Sequence, residues 1–126
     1  MKDELKKIIY KSNEILDDAK YLLEDNRNEA AVNRAYYAMF TIVNGLLLDK
    51  DVFVKSHSGV KTKFHEYFLK TNLLRLELGK IYENAFSLRQ EADYDFEMEI
   101  SDEDARQTID DADKFIKEII LFLGDE

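Results

Sequence analysis

The stretch from residue 30 to residue 48 constrains the fold more than any other, because nearly its whole helical circumference is apolar. The chain has no proline and only 4 glycines, so nothing in its composition interrupts long helices. A helix that is apolar on all sides is central in its domain, or also forms a subunit interface. The sequence therefore predicts a helical protein built round one central helix, at about residues 29–48.

Apolar spacing predicts four further helices round this central one, each with one apolar face. Ser56 and Ser101 are the predicted N-caps of the third and fifth helices, and Gly124 is the predicted end of the fifth. The predicted fold is an all-α, antiparallel up-and-down helical bundle of four to five helices, which forms a single domain over residues 1–126. The four further helices cover about residues 3–25, 58–70, 73–93 and 101–124.

Residues 92–100 break the helical pattern, because acidic and apolar side chains alternate there with a period of two. This is the spacing of a strand, but no other segment is predicted to pair with it. We therefore expect an extended connector whose apolar side chains pack inward. These side chains are Tyr94, Phe96, Met98 and Ile100.

The net charge of −9 limits the partners that the chain is expected to bind. Residues 50–89 carry 8 basic and 4 acidic side chains, whereas residues 90–126 carry 3 basic and 14 acidic ones. Such an acidic surface disfavours sequence-independent binding to nucleic acids, which depends on neutralising phosphates. A basic face in the middle of the chain is still compatible with a nucleotide or a short RNA, although solvated helix faces of both signs account for most of these charges.

Three absences narrow the class of protein further. Cysteine is absent, which excludes disulfides and thiolate chemistry. No apolar run approaches the roughly 20 residues of a membrane span, and the first residues lack the apolar core of a signal peptide. We therefore expect a cytoplasmic protein that does not bind membranes.

Arg34 lies inside the apolar central helix, where a charged side chain needs either an anion or a route to water. Two interpretations remain open. Its head reaches solvent or a carboxylate while its stem packs, or it binds an anion in a groove between helices. The adjacent Tyr36 and Tyr37 are interpreted as core or interface aromatics with hydroxyls at the wet edge, and Tyr37 is a candidate for contacting a ligand.

Arg89 and Asp93 are four residues apart, which puts both side chains on one face of the fourth helix. A plain salt bridge is one interpretation, and an exposed pair would contribute less than about 1 kcal/mol. The other is an anion site in which Asp93 orients Arg89 and Tyr94 supplies a hydroxyl.

His57 stands at the predicted start of the third helix, with Lys61 one turn later. The N-terminus of a helix with lysines nearby is a reasonable anion site, so both residues are candidate anion-binding residues. We predict no metal and no cofactor. Cysteine and the HExxH spacing of zinc sites are absent, and the acidic run 93–99 lacks the turn glycine of a calcium loop.

Four features occur in the order seen in the HEPN (higher eukaryotes and prokaryotes nucleotide-binding) domain. They are Arg34-Ala-Tyr-Tyr-Ala-Met-Phe40, Lys55-Ser-His-Ser-Gly59, Arg89-Gln-Glu-Ala-Asp-Tyr94 and a closing helix with Ala112 and Phe115. The chain resembles the small stand-alone members of this superfamily over essentially its whole length. The resemblance implies a helical bundle, usually a homodimer, commonly encoded beside a minimal nucleotidyltransferase and often acting with it as a toxin–antitoxin pair.

The resemblance also bears on whether the chain carries the ribonuclease motif of the family. Many members of the superfamily are metal-independent ribonucleases with an arginine, four to six further residues, and then a histidine. If Arg89 is that arginine, the histidine should stand at position 94, 95 or 96, but these positions hold Tyr94, Asp95 and Phe96. Tyrosine, with an ordinary pKa near 10, replaces histidine poorly as an acid or base at neutral pH. In some family pairs the nucleotidyltransferase adenylylates a tyrosine near this motif, and Tyr94 is the matching residue.

Three functional hypotheses follow. The first is a non-enzymatic module that binds a nucleotide or an RNA phosphate, or docks a nucleotidyltransferase, through Arg34, Tyr37, His57, Lys61, Arg89, Asp93 and Tyr94. The second is a divergent ribonuclease with Arg89 and His57 as its catalytic pair. The third is a structural dimerisation module whose arginines only form salt bridges.

Overall fold

The computed structural model describes residues 2–124, and within these residues it contains five α-helices and no strand. The predicted all-α bundle is therefore confirmed. A single π-helical turn at His65–Leu69 continues the third helix. The helices are α1 (Asp3–Glu24), α2 (Asn28–Asp49), α3 (His57–Phe64), α4 (Leu76–Tyr94) and α5 (Asp102–Gly124).

The central position of α2 is also confirmed, because this helix packs against each of the other four. At about 100° per residue, its buried side chains cover roughly 200° of the helix circumference, and Arg34, Tyr37 and Phe40 lie on the partly exposed remainder. At Gly45 the helix packs tightly on α1, because a Cβ atom would lie 3.1 Å from Ile8 Cγ2 and 3.2 Å from Leu5 Cδ1. Glycine therefore lets these two backbones come together, and α2 forms the axis from which the functional side chains project.

Aromatic rings fill the middle of the core, between α2, α4 and α5. Phe115 on α5 is fully buried, and its ring centroid lies 5.8 Å from that of Phe64 and 5.9 Å from that of Tyr82. Tyr82 in turn stacks on Tyr36 of α2, with centroids 5.8 Å apart and ring planes 15° from parallel. Ring contacts therefore connect Phe115 on α5, through Tyr82, to Tyr36 on α2.

The segment after α4 differs from its prediction. Tyr94 is 80% exposed and Phe96 is 97% exposed, so neither packs inward, whereas Ile100 is buried and Met98 partly so. The reason is a turn at Asp95, whose carboxylate accepts a hydrogen bond from the Glu97 N–H at 3.0 Å. Because the chain turns there instead of running straight, the period-two pattern does not place alternate side chains on one face.

The predicted third helix, 58–70, is present but is not regular throughout. The Lys70 N–H donates to the His65 carbonyl at 2.8 Å, five residues back, which closes the π-helical turn. This wider turn brings both Phe68 and Leu69 into the core. The following α4 begins at Leu76, three residues later than predicted, and Leu73 and Leu76 are half exposed. A groove opens between this turn and α4 as a result.

The N-cap of α3 sets the position of His57. The Ser56 hydroxyl oxygen accepts a hydrogen bond from the Gly59 N–H at 3.0 Å, as predicted, and His57 is the first residue of the helix. The cap at Ser101 is confirmed in the same way, by a bond of 3.0 Å from the Asp104 N–H. Since both caps satisfy backbone donors, each holds the start of its helix in place.

The Ser56→Ala substitution is expected to lower the free energy of unfolding by about 1 kcal/mol, the usual cost of losing an N-cap. Urea unfolding followed by circular dichroism measures the change. Ser58→Ala is the matched control, because the hydroxyl of this nearby exposed serine makes no hydrogen bond to any described residue. An equal loss in both variants would contradict the assignment of Ser56 as the cap.

Within residues 2–124, no helix combines the length and the apolarity that crossing a bilayer requires.

Candidate anion-binding site

Arg89 on α4 is a largely buried cation with little compensation from the protein. Its side chain is 15% exposed, and its guanidinium carbon lies 4.7 Å from the ring centroid of Tyr36 and 5.7 Å from that of Tyr37. The Nε atom is buried and has no hydrogen-bond partner among the described residues. Within residues 2–124 the head group has one ion pair, a long contact of 3.4 Å between Arg89 Nη1 and Asp93 Oδ2. A desolvated guanidinium with a free donor is an unsatisfied binding group for an anion.

His57 is held beside Arg89 by α2. The Tyr36 phenolic oxygen lies 2.7 Å from His57 Nδ1, and the imidazole stacks on Phe40 with ring centroids 4.3 Å apart. Tyr36 itself is fully buried. These contacts fix the orientation of the imidazole and leave Nε2 as the nitrogen available to a ligand. We call Tyr36, Tyr37, Phe40, His57 and Arg89 the Arg89 cluster.

The protonation of His57 follows from this setting. Burial lowers the pKa of His57 below its ordinary value of 6.5, and the positive charge of Arg89 lowers it further. The imidazole is therefore neutral near pH 7 and can take up a proton. Burial likewise raises the pKa of Tyr36, so its phenol stays protonated.

We expect the pKa of His57 to rise in Arg89→Ala, because the repelling charge is removed while the burial remains. Folding favours the neutral imidazole, so wild-type stability is complete above the unfolded pKa of about 6.5 and declines as the pH falls below it. A histidine NMR titration, assigned with His57→Gln, measures the pKa. Arg106→Ala, on the exposed face of α5, is the control. An unchanged pKa of His57 in Arg89→Ala would show that the two side chains do not face each other.

Tyr37 also contacts Arg34, the basic residue of α2. Its ring is partly exposed, and the Arg34 guanidinium carbon lies 6.0 Å from the ring centroid. His57 meets the same ring edge-on at 5.7 Å. Arg34 makes no ion pair within residues 2–124, so its charge is also available. The structure thus brings together residues that lie on three different helices.

Comparison with known proteins identifies the family. A model described as "HEPN domain" matches residues 5–121, which is nearly the whole chain. The chain belongs to the HEPN family. Its resemblance to that family is therefore confirmed.

Several relatives of this HEPN chain are similar over most of their length. A "UPF0332 protein" of Thermotoga maritima is 40% identical over 115 residues, covering 91% of this chain and 87% of the relative. Two proteins of Methanocaldococcus jannaschii carry the names "Putative toxin MJ0142" and "Putative toxin MJ0605". The first is 38% identical, covering 97% of this chain and 83% of the relative. The second is 34% identical, covering 94% and 88%.

Two of the predicted ligand residues lie apart from the Arg89 cluster of this HEPN chain. Lys61 pairs with Glu83 at 3.1 Å and lies 4.8 Å above the ring of Phe86, at the edge of the groove between α3 and α4. Tyr94 ends α4, about 140° round the helix axis from Arg89, with its ring in solvent. Contacts link Arg34, Tyr37, His57, Arg89 and Asp93, whereas Lys61 and Tyr94 lie apart from them. The binding roles of all seven residues stay predictions.

The sequence predicts Tyr36 only as a core or interface aromatic, and it gives no site role to Phe40. Tyr36 is indeed buried, but it also bonds to His57 and lies under Arg89. The signal was the i,i+4 spacing of the two aromatic residues on α2, which puts both rings on one face. Nothing in the sequence indicates that His57, from another helix, packs on that face.

Behind Tyr36, the Tyr82 hydroxyl is a second polar atom without a partner. It is buried and makes no hydrogen bond to a described residue. Burial raises the pKa of Tyr82, and the neighbouring Tyr36 raises it further, so the phenol stays neutral. The Tyr82 and Tyr36 hydroxyls nevertheless lie close enough to interact, so Arg89 Nε is the clearer of the two unsatisfied atoms.

Proposed function

We propose that this HEPN chain binds a phosphate group of a nucleotide or of RNA at Arg89. The observation that carries the proposal is the Arg89 head group, whose Nε is buried without a partner and whose Nη end has only the long contact to Asp93. A phosphate at the Nη atoms would neutralise this poorly compensated charge, with the planar guanidinium supplying parallel N–H groups.

The neighbouring residues supply the rest of a nucleotide site. Arg34 adds a second cation beside Tyr37, which supports binding of a dianionic phosphate. The partly exposed ring of Tyr37 offers a surface on which a base stacks, an interaction worth about 1–3 kcal/mol. Asp93 orients Arg89 through its contact with Nη1. Since the net charge is −9, these local groups and not the overall field must provide the attraction.

The partner belongs to the same proposal. We propose that the chain forms a homodimer and works with a minimal nucleotidyltransferase, in a toxin–antitoxin-like pair. Support comes from the resemblance of the whole chain to small stand-alone HEPN proteins and from the toxin names of two relatives. Co-purification of the tagged chain with a nucleotidyltransferase encoded beside it tests the partnership, and size-exclusion chromatography with light scattering tests the dimer.

The binding itself is tested by titration of ATP, and separately of a fluorescein-labelled single-stranded RNA, into wild type and the Arg34→Ala/Arg89→Ala double variant. We expect measurable binding in wild type, weaker binding at higher salt because phosphate contacts release counterions, and loss of binding in the double variant. Equal affinities in the two proteins would contradict the proposal.

A second function, metal-independent ribonuclease activity, is favoured by the position of His57. If the proton of His57 is on Nδ1, this N–H donates a hydrogen bond to the Tyr36 oxygen. Nε2 is then free to accept a proton from a ribose 2′-hydroxyl. The 2′-oxygen then attacks the adjacent phosphorus, a 2′,3′-cyclic phosphate forms, and the 5′-oxygen leaves and takes up a proton from the imidazolium. Arg89 would stabilise the negative charge that develops on the phosphate oxygens.

This activity predicts RNA cleavage that EDTA does not inhibit and that both Arg89→Ala and His57→Ala abolish. Purified protein is incubated with mixed RNA, with and without EDTA, beside the two variants. Cleavage that persists in the variants would point to a contaminating nuclease, and intact RNA in wild type would exclude the catalytic role while leaving phosphate binding to be judged by titration.

A further inference from the structure

A groove of about 650 Å³ lies between the α3–π-helical segment and α4, outside the Arg89 cluster. Its walls are mainly apolar and include Phe64, Leu69, Leu76 and the ring of Tyr82. Leu76 is 59% exposed, so the mouth of the groove also presents an apolar side chain to solvent. Concave apolar pockets of about 300–1,000 Å³ are the usual sites of small ligands.

Gly79 lets the Leu69 side chain pack directly against α4 at the floor of the groove. A Cβ atom at this position would lie 2.6 Å from Leu69 Cδ1, so any side chain here would displace Leu69 or fill the space between the two helices. The opposite wall contains the π-helical turn His65–Leu69. Such turns are rare and occur frequently at functional sites.

The rim of the groove is more basic than acidic. Lys61 and Glu83 face each other and form an ion pair at 3.1 Å, so their charges compensate. Lys80, which is exposed on the same rim, makes no ion pair within residues 2–124. His65 adds an exposed imidazole on the π-helical side. An apolar floor with an uncompensated lysine at its edge complements an apolar molecule with one negative group.

From these features we infer that the groove binds a small apolar molecule that carries a single anionic group. The apolar body packs against the half-exposed Leu76 and over the floor formed by the buried Phe64, Leu69 and Tyr82. The anion lies at the rim, where it meets the Nζ atom of Lys80. This ligand is separate from the phosphate group proposed above, because Arg89, His57 and Tyr36 do not line the groove.

The groove and the Arg89 cluster are nevertheless adjacent, since Tyr82 lines the groove and stacks on Tyr36 at 5.8 Å. The experiment must therefore separate the two sites. Arg89→Ala serves this purpose, because it removes the side chain proposed to bind phosphate and leaves the residues that line the groove unchanged.

The probe is 8-anilinonaphthalene-1-sulfonate, a fluorescent aromatic anion, and its neutral counterpart is N-phenyl-1-naphthylamine, which lacks the sulfonate. Both are titrated into folded wild-type protein and followed by fluorescence. We expect the anion to bind more tightly than the neutral compound and to bind Arg89→Ala with unchanged affinity. Failure of the phosphate titrations would leave this expectation in place. Loss of probe binding in Arg89→Ala would overturn the assignment to the groove.

Two variants test the rim and the floor independently. Lys80→Glu reverses the free charge at an exposed position and should weaken the sulfonate about fivefold or more, while leaving the neutral compound unchanged. Gly79→Leu should abolish binding of both compounds. Lys11→Glu, an equal change of charge on the exposed face of α1, is the control and should have no effect.

Each remaining outcome decides the proposal. Equal affinity for the sulfonate in Lys80→Glu and wild type would overturn the anionic part, and this variant is informative even if Gly79→Leu does not fold. Absence of probe binding to folded wild type would overturn the site altogether.

Discussion

Replacing Arg89 by alanine is expected to weaken binding of single-stranded RNA and of ATP by roughly 10- to 100-fold. The guanidinium is largely desolvated, and its one ion pair in the described structure is the long contact of Nη1 with Asp93. A charge-assisted hydrogen bond is worth about 1.5–3 kcal/mol, which corresponds to the expected loss. Stability should change by less than about 1 kcal/mol, because the lost contact with the Tyr36 ring is offset by removal of a poorly compensated buried charge.

Two further variants make this result specific to Arg89. Arg89→Lys keeps the charge but not the planar fork, so we expect an intermediate affinity. Arg106→Ala removes an exposed arginine of α5 that pairs with no described residue, and its affinity should equal that of wild type. Fluorescence anisotropy measures all four proteins at one salt concentration. A loss of the same size in Arg106→Ala would mean that overall charge, and not the Arg89 cluster, attracts the ligand.

Replacing Phe115 by alanine is expected to have the largest effect on stability, a loss of about 3–5 kcal/mol in the free energy of unfolding. The side chain is fully buried and touches the rings of Phe64 and Tyr82, so its removal leaves a cavity at the centre of the aromatic core. Since small domains are stable by about 5–15 kcal/mol, the variant would lose a large part of its stability. Urea unfolding measures the change.

Leu121→Ala on the same helix is the matched control, because Leu121 is 68% exposed. Its loss should stay below about 0.5 kcal/mol. If Phe115→Ala cost no more than this control, the aromatic core would not have the packing described here. Because Phe115 supports Tyr82 and Tyr82 supports Tyr36, a folded Phe115→Ala protein should also bind phosphate ligands less tightly than wild type.

Most of the fold was predictable because its signals are local and repeated. The apolar circumference of residues 29–48 predicted a central helix, and the structure places α2 against all four other helices. The caps at Ser56 and Ser101 were predicted from single residues and are confirmed. In each case the physical preference acts within a few residues of chain, so it can be read from the order of the amino acids.

The predictions of local structure fail at two places, where a turn or a π-helical insertion interrupts the regular geometry of the chain. Alternating residues 92–100 suggested an inward-facing connector, but the turn at Asp95 exposes Phe96. The third helix was predicted as regular, but its last turn is π-helical and carries both Phe68 and Leu69 into the core. Periodicity assumes a constant rise and twist, and it therefore fails at a turn or a π-helical insertion.

The sequence by itself determined the helical fold and the central helix, because these depend on local apolar spacing, and its motifs carried the resemblance to the family. It also marked Arg34 and Arg89 as candidate binding residues, because placing arginine among apolar residues is costly. Only the tertiary structure decided that His57 from α3 lies beside Arg89 from α4, with Tyr36 from α2 between them. It also decided that Tyr94 faces solvent. The physical reason is that contacts between helices depend on how their faces rotate and dock together, and spacing along a single helix does not contain that information.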